Sequence, residues 1–509
     1  MSPHQPPGPA VEPGPAVGPG RGPERGLVVE LGRDVRVYDD GRTLVGGAPP
    51  RLLRLQERAA QHLVGRQVHV VDDLSGKLAD RLLACGAAGP VLSALPPADP
   101  SQLTVVVPVR DREQALDRLL AGLGGGLRVV VVDDHSRDPA TIARVAARHG
   151  AELVALPHNR GPAGARNAGL AAVATPFVAF VDSDVVVAAD SLVMLARHLH
   201  LPRVAAVTPR ILGLPTTGRP NWISRYENAR SSLDAGPDAA LVHPHSRVGW
   251  VPGACLVARV DALGDGFTDS MRVAEDVDLV WRMVAQERQV RYEPAVTAWH
   301  DHRTRPAAWL NRKAFYGTGA HQLARRHGAA VAPAVLTPLA GATAAVLLAQ
   351  RRWSVPAALT LVAVMCTRLT RVLPRDCDRA RLTADLAGRG LAATASQTSA
   401  LLLRHWWPLS LPGCLVSRRL RRAVLTAAIL DGLLDYRRSV PSLDPARFVL
   451  ARRLDDIAYG AGLWAGALRG GSPRPLLPSF PPHRGRAPAR RGRRPGRDGN
   501  APAMGGTGP

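Results

Sequence analysis

The sequence predicts an α/β protein: a mainly parallel sheet covered by helices on both faces, with a small α+β module before it and a helical region after it. Three observations predict this. Over residues 102–305, short wholly apolar runs alternate with amphipathic segments of helical length. Strands that are apolar on both faces belong to sheets buried on both sides. Those runs end on charged clusters, and the carboxyl ends of strands are where open α/β sheets bind ligands. Beyond residue 305 the uncharged stretches are too long for strands and suit helices.

Taken in order, residues 1–25 are rich in Pro and Gly and lack apolar surface to bury, which predicts disorder. They also lack the apolar centre of a signal peptide, so the chain is expected to start in the cytoplasm. The module at 26–97 opens with strands over 27–31 and 35–38, a turn at Asp40-Gly41 and a return strand over 42–46. Leu52, Leu55, Ala59 and Leu63 predict a helix over 51–63, and a second helix fits 75–84. Pro96, Pro97 and Pro100 mark a linker.

The next block, 102–305, predicts strands over 103–107, 127–132, 152–156 and 176–181, with helices over 113–123, 139–149 and 164–173. Residues 306–468 read as helical. Within them, 331–349 is uncharged and meets the length of a membrane span, whereas 353–367 is short for one. Arg351-Arg352 separates the two. A spanning segment and a buried or interfacial hairpin both fit. Trp406-Trp407, after an Arg-His pair, resembles an anchor at the level of lipid headgroups. Residues 470–509 carry eight arginines against one aspartate and predict a disordered basic tail.

The formal net charge is +23, almost all of it arginine, since the lysines are Lys77 and Lys313 alone. The charge is spread along the chain without the aromatic interleaving of a single-strand binder, which argues against nucleic acid as partner. An anionic substrate or an anionic membrane surface accounts for it. Cys85, Cys255, Cys366, Cys377 and Cys414 match no metal spacing and are odd in number, so they read as free thiols in a reducing compartment.

The chemistry concentrates at the strand ends. Asp182-Ser183-Asp184 follows the apolar run 176–181. Residues i and i+2 of an extended segment point to one side, so two carboxylates aim at one point. Hard oxygen ligands with room for water suit Mg²⁺ or Mn²⁺ carrying a diphosphate. Asp133-Asp134 closes the second strand and offers an acceptor for the polar edge of a nucleobase, or a loop-and-cap arrangement with Ser136. Arg166, near a helix start, suits phosphate, while its neighbour Asn167 suits loop stabilisation. Glu275-Asp276 opens an amphipathic helix. There a carboxylate serves either as general base for an attacking hydroxyl or as compensation for the helix dipole. Gly253-Ala254 permits close approach of backbone to a ligand, and Trp250 suits either a sugar ring or the core.

In order and spacing, Pro108-Val109-Arg110-Asp111, Asp133-Asp134, the run Asn159 to Asn167, Asp182-Ser183-Asp184, Trp250 to Cys255 and Glu275-Asp276-Val277-Asp278 resemble family 2 glycosyltransferases of the GT-A fold. The resemblance covers residues 102–305. It implies a Rossmann-like nucleotide-diphospho-sugar transferase core and inverting transfer to an acceptor hydroxyl. On this resemblance Pro108, Arg110, Asp133, Asp134, Arg166 and Asp182 bind the donor. Trp250, Gly253 and Ala254 face the acceptor, Asp276 is the base and Glu275 orients the acceptor. Asp182, Asp184 and a histidine late in the domain, His300 or its neighbour His302, hold the metal. Processive relatives carry Gln-x-x-Arg-Trp; Gln286-Glu287-Arg288-Gln289-Val290 departs from it, so one sugar or a short chain is expected.

The hairpin-and-helix front module resembles small domains that recognise peptide leaders. With the core and the apolar tail, residues 26–468 resemble the glycosyltransferases of the mycofactocin system. That resemblance implies glucose from UDP-glucose, joined through β-1,4 links to a peptide-derived redox cofactor. Separately, the apolar length of 331–349 and 353–367, the arginines beside them and the lack of a signal peptide predict a place at the inner face of the cell membrane, with a helical cap over the acceptor cleft as the alternative. The alternatives are a transferase of cell-envelope polysaccharide or lipid, a nucleotidyltransferase, or a non-catalytic basic adaptor at membrane or nucleic acid. A nucleotidyltransferase needs a Gly-rich basic loop after the first strand, where Pro108-Val109-Arg110 stands instead.

Overall fold

The structure is a computed structural model and describes residues 25–215 and 219–480. The disorder expected for residues 1–24 and 481–509 lies outside the described residues.

The core is a nine-stranded sheet. Across it lie Glu152–Ala155, Arg128–Asp133, Leu103–Val109, Phe177–Val181, Cys255–Arg259, Val204–Gly213, Gln289–His300 and Val185–Val186, with Ala240–Leu241 also paired to Gln289–His300. The first four are mutually parallel. Cys255–Arg259 is antiparallel to both of its neighbours, so the sheet is mixed rather than mainly parallel. An apolar run reports burial on both faces but not strand direction, which is why the sequence does not distinguish the two.

Alternation along Leu103–Val109 builds two cores. Val105 and Val107 pack with Leu116, Leu119 and Ile142 on one face, while Val106 packs with Ala163, Ala165 and Phe180 on the other. Each fully buried side chain of this kind stabilises the fold by about 1.5–3 kcal/mol. The helices Glu113–Leu123, Pro139–Arg148 and Gly161–Ala171 cover these faces. Asp138 caps the second by accepting from the Thr141 N–H at 3.0 Å.

The front module differs from expectation at 51–63. Arg51–Arg54 is a strand, antiparallel to Thr43–Gly46, and only the four residues Glu57–Ala60 are helical. Pairing Leu53 with Leu44 buries both, and the spacing of Leu52, Leu55, Ala59 and Leu63 has no continuous helix behind it. The second helix forms as Asp73–Ala84, with a capping box between Asp72 and Ser75. The module docks on the core through Gln289 and Arg291, whose side chains donate to the Leu83 carbonyl at 3.5 and 3.3 Å. It also meets the C-terminal helices, where Tyr38 donates to Asp385 at 2.7 Å.

The C-terminal region is helical, but 331–349 is not one helix. A turn at Gly328–Val331 leads through an extended segment to the helix Pro338–Leu348. Pro333 and Pro338 break the run, since each lacks an N–H. Among the described residues, Ser354–Val372 is the helix long and apolar enough to cross a membrane. Residues 470–480, expected to be disordered, pack instead. Pro475 and Leu476 are buried, the Ser479 N–H donates to Ala334 and the Leu336 N–H to Ser479.

The long helix Pro445–Arg469 lies against Pro306–Thr318 so closely that a Cβ at Gly462 would collide with the backbone of Ala314. Buried charges lock this contact. Lys313 Nζ lies 2.8 Å from Glu227 and 3.4 Å from Asp455, and Arg404 lies 3.5 and 3.1 Å from Asp455 and Asp456. Removing one partner from such a network leaves a charge buried and uncompensated.

Candidate active site

The strand ends open on a cavity of about 950 Å³, walled on one side by the sheet and on the other by the C-terminal helices. Pro108, Arg110, Asp134, Arg166, Asp182, Asp184, Trp250, Ala254, Glu275, Asp276 and His300 all line it, so the structure brings together most of the residues the sequence singles out.

Glu275 and Asp276 are aimed by an unusual backbone. Ala274, just ahead of the helix Glu275–Ala285, holds the left-handed conformation at φ 63°. A non-glycine residue bears strain there, of order 1–3 kcal/mol. Asp276 Oδ2 accepts the Gly253 N–H at 2.6 Å, and Oδ1 accepts the Val277 N–H at 2.8 Å. Burial, then the Glu275 charge, push its pKa up to about 6, against the pull of the Gly253 N–H and Arg166. A Cβ at Gly253 would stand 2.8 Å from that of Asp276. Gly253 does not line the cavity. Its N–H braces Asp276, a role the sequence reading of Gly253 did not include. Trp250 is 42% exposed at the rim, and the Ala254 carbonyl accepts the Asp182 N–H at 2.9 Å.

Arg166 is buried and spends its charge inward. Nη1 donates to Glu275 at 2.8 Å and Nη2 to Asp182 at 2.6 Å, with the group 5.2 Å over the Phe267 ring. The helix begins at Gly161, which places Arg166 in its second turn, away from the free N–H groups. It therefore pins two acids and does not reach toward a phosphate, contrary to expectation. Glu275, tied to it, is likewise a fixed member of the wall. Burial raises the pKa of Asp182, and Arg166 counters it.

Asp133 also departs from its expected role. Its Oδ1 accepts the Ser136 N–H at 3.0 Å, and the residue does not line the cavity. Asp134 does, while its two oxygens accept the N–H groups of Arg160 and Gly161 at 2.6 and 2.9 Å. Asp278 is fully buried and accepts from Thr268, Arg282, Arg326 and His327, a structural knot beneath the site.

Asp184 is the carboxylate fit for a cation. His300, paired with Val185 across the strands, puts Nε2 3.5 Å from Asp184 Oδ2, and Arg112 Nη1 stands 2.6 Å from the same oxygen. Burial alone would raise the Asp184 pKa; His300, Arg112 and Arg312 outweigh it and hold the group well below the usual carboxylate range. The structure also separates the two histidines. His302 turns away against Gly213 and does not line the main cavity, and burial pushes its pKa down to about 4. Among the described residues no three His, Cys, Asp or Glu side chains converge on one point, because Asp182 is held by Arg166. An ionised carboxylate beside an imidazole whose buried Nδ1 lacks a partner still suits a hard cation that keeps waters and phosphate oxygens in its shell.

Sequence reasoning missed the far wall: Arg312, Phe315 and Tyr316 from Pro306–Thr318, and Arg404, His405 and Tyr459 beyond it. These residues lie on helices remote in sequence from the strand ends, so no local pattern joins them to the site, and the Arg404-His405 pair reads in sequence only as the flank of a headgroup anchor. Arg112 also lines the cavity, from the strand-end loop that carries Arg110.

A wall of paired acids and guanidinium groups facing a carboxylate of raised basicity belongs to a group-transfer enzyme that handles a charged leaving group and activates a hydroxyl. The group is a sugar. Residues 104–249 match Glycosyl transferase family 2 and residues 177–380 match Glycosyl transferase family group 2. The chain is 42% identical over 459 residues to the "Pre-mycofactocin glycosyltransferase" of Mycobacterium tuberculosis (strain ATCC 25618 / H37Rv), covering 87% of this chain and 96% of that one. A shorter likeness, 44% over 81 residues, links it to the succinoglycan biosynthesis protein ExoO of Rhizobium meliloti, covering 16% of this chain and 23% of the relative. Among solved structures, a mannosyltransferase of Pyrobaculum calidifontis in complex with GDP-Man and Mn²⁺ superposes with a TM-score of 0.36 at 20% identity, over 60% of this chain and 88% of that one. The chain belongs to glycosyl transferase family 2 and is an enzyme of that family.

Proposed function

We propose that this glycosyltransferase moves glucose from UDP-glucose, with inversion, onto a hydroxyl of the peptide-derived redox cofactor mycofactocin or its precursor. The acceptor rests on the likeness to the mycobacterial pre-mycofactocin enzyme, which spans nearly all of that relative. The chemistry rests on one observation above the others: Asp276, braced by two backbone N–H groups, faces the same cavity as Asp184 and His300.

Asp276 accepts the proton of the attacking hydroxyl. Its pKa of about 6 leaves it ionised at neutral pH yet more basic than an ordinary aspartate. Arg166 keeps Glu275 and Asp182 in register with it. Asp184 and His300 would hold Mg²⁺ or Mn²⁺, whose charge would offset that of the departing nucleoside diphosphate. Trp250 at the rim offers a face for a sugar ring. The test is a panel of UDP-, GDP- and dTDP-sugars with and without chelator. Metal-dependent UDP release from UDP-glucose, rising when the acceptor is added, is the expected result. Release from no nucleotide sugar would overturn the reading.

The same reading places the enzyme in the cytoplasm against the inner face of the membrane. Val355, Leu359, Leu415, Val416 and Ile429 are exposed on three C-terminal helices, and Arg351, Arg352, Arg368 and Arg371 are exposed near them. Apolar area and cationic side chains together favour an anionic leaflet. Fractionation should find the protein with membranes. Release by salt alone would indicate peripheral contact, resistance to salt and carbonate insertion, and a protein soluble before any wash would sink the location.

A further inference from the structure

The Asp184 end of the cavity holds more positive charge than its acids neutralise. Arg112 leaves the loop after Leu103–Val109 and pairs with Asp184 at 2.6 Å. Arg312 arrives from the opposite side, on the helix Pro306–Thr318, and lines the same cavity. It stands 5.8 and 5.5 Å over the rings of Phe315 and Tyr316. Arg303 lies close enough that, after burial, the charges of Arg312 and Arg112 disfavour its own. Among the described residues, neither Arg303 nor Arg312 has a carboxylate within salt-bridge distance. Arg112 and Arg312 are half-buried and Arg303 is exposed beside them, and guanidinium groups gathered around one carboxylate await a further anion.

We propose that Arg112 and Arg312 are the two arms of a diphosphate clamp, with Arg112 parked on Asp184 in the free enzyme. This rests on the nucleotide-sugar reading and adds the residues that grip the leaving group. When a divalent cation takes the Asp184 carboxylate, Arg112 exchanges that carboxylate for a phosphate oxygen. The exchange keeps one charge-assisted bond throughout and leaves no buried charge unpaired. Arg312 meets the same diphosphate from the C-terminal helix, so the helical region takes part in donor binding. It follows that metal and nucleotide bind cooperatively: the metal alone must displace Arg112 without compensation, and the diphosphate supplies the compensation. The coupling is reciprocal, so the metal helps the nucleotide by the same factor.

The test uses the full-length chain, with Mn²⁺ followed by electron paramagnetic resonance and UDP by calorimetry. Arg112→Ala is expected to bind Mn²⁺ alone about fivefold more tightly, because a competing cation has gone, yet to bind UDP in the presence of Mn²⁺ about tenfold more weakly. Arg312→Ala should weaken UDP similarly while tightening Mn²⁺ alone by less than Arg112→Ala does, since Arg312 acts on Asp184 by charge without a salt bridge to it. Arg112→Lys, a point charge without the fork, should fall between wild type and Arg112→Ala on both readouts, and carries the same test if the alanine variant fails to fold. Unchanged Mn²⁺ affinity in the Arg112 variants would overturn the parked arm. Unchanged UDP affinity in either alanine variant would overturn the clamp while leaving the nucleotide-sugar reading intact. A wild-type enzyme that binds neither UDP nor GDP with Mn²⁺ would remove that reading and the clamp with it.

Discussion

Asp276→Asn is expected to slow sugar transfer about a hundred- to ten-thousand-fold, the range lost with a general base, while UDP binding measured by calorimetry stays nearly unchanged. The asparagine keeps one oxygen for the Gly253 or Val277 N–H and occupies the same space, but it cannot take a proton. The wild-type rate should fall as the pH drops through about 6, where Asp276 becomes protonated, and the variant should lose this acid limb. The sign for stability is opposite to that of most aspartates. A carboxyl whose folded pKa is raised binds its proton more tightly when folded, so its contribution is fullest below its unfolded pKa and is lost as the pH rises through about 6. The neutral asparagine escapes that cost, and thermal unfolding at pH 7 should occur no lower than in wild type. Equal loss of rate and of nucleotide binding would move Asp276 from the base to the donor site.

Much of this site was legible because its elements leave local marks. Buried strands such as Leu103–Val109 and Phe177–Val181 are unbroken apolar runs, and the helix Pro139–Arg148 announces itself by Asp138 and a proline in its first turn. Charged residues placed at such strand ends fall on one side of the sheet without any tertiary knowledge. What stayed illegible depends on partners distant in the chain. Arg166 looks like a phosphate ligand until Glu275, 109 residues away, is seen to hold it. His300 and His302 share the period of a strand, and only the pairing of His300 with Val185 sets it beside Asp184. Arg51–Arg54 carries a helical spacing that the neighbouring strand Thr43–Gly46 overrides. Arg312 and Tyr459 join the cavity because two helices cross at Gly462, a contact that no local pattern encodes.

Asp184→Ala is expected to abolish divalent-metal-dependent turnover and leave a trace of activity indifferent to chelator. In wild type the carboxyl is ionised throughout the working range, since His300, Arg112 and Arg312 together overcome the cost of its burial. Its contribution to stability is present above the unfolded pKa of an aspartate and is lost as the pH falls through its depressed folded value. At neutral pH the alanine variant therefore forgoes that contribution, and a modest fall in the unfolding midpoint is expected without loss of fold. The larger effect is on the site. Removing the carboxylate leaves Arg112, Arg303, Arg312 and His300 facing one another with nothing to hold a cation, so Mn²⁺ binding should vanish. Free UDP, which brings its own negative charge, should still bind there without metal. Retention of near-normal activity in the presence of chelator would sink the metal site. Loss of metal-free UDP binding together with Mn²⁺ would show that Asp184 organises the arginines rather than the cation.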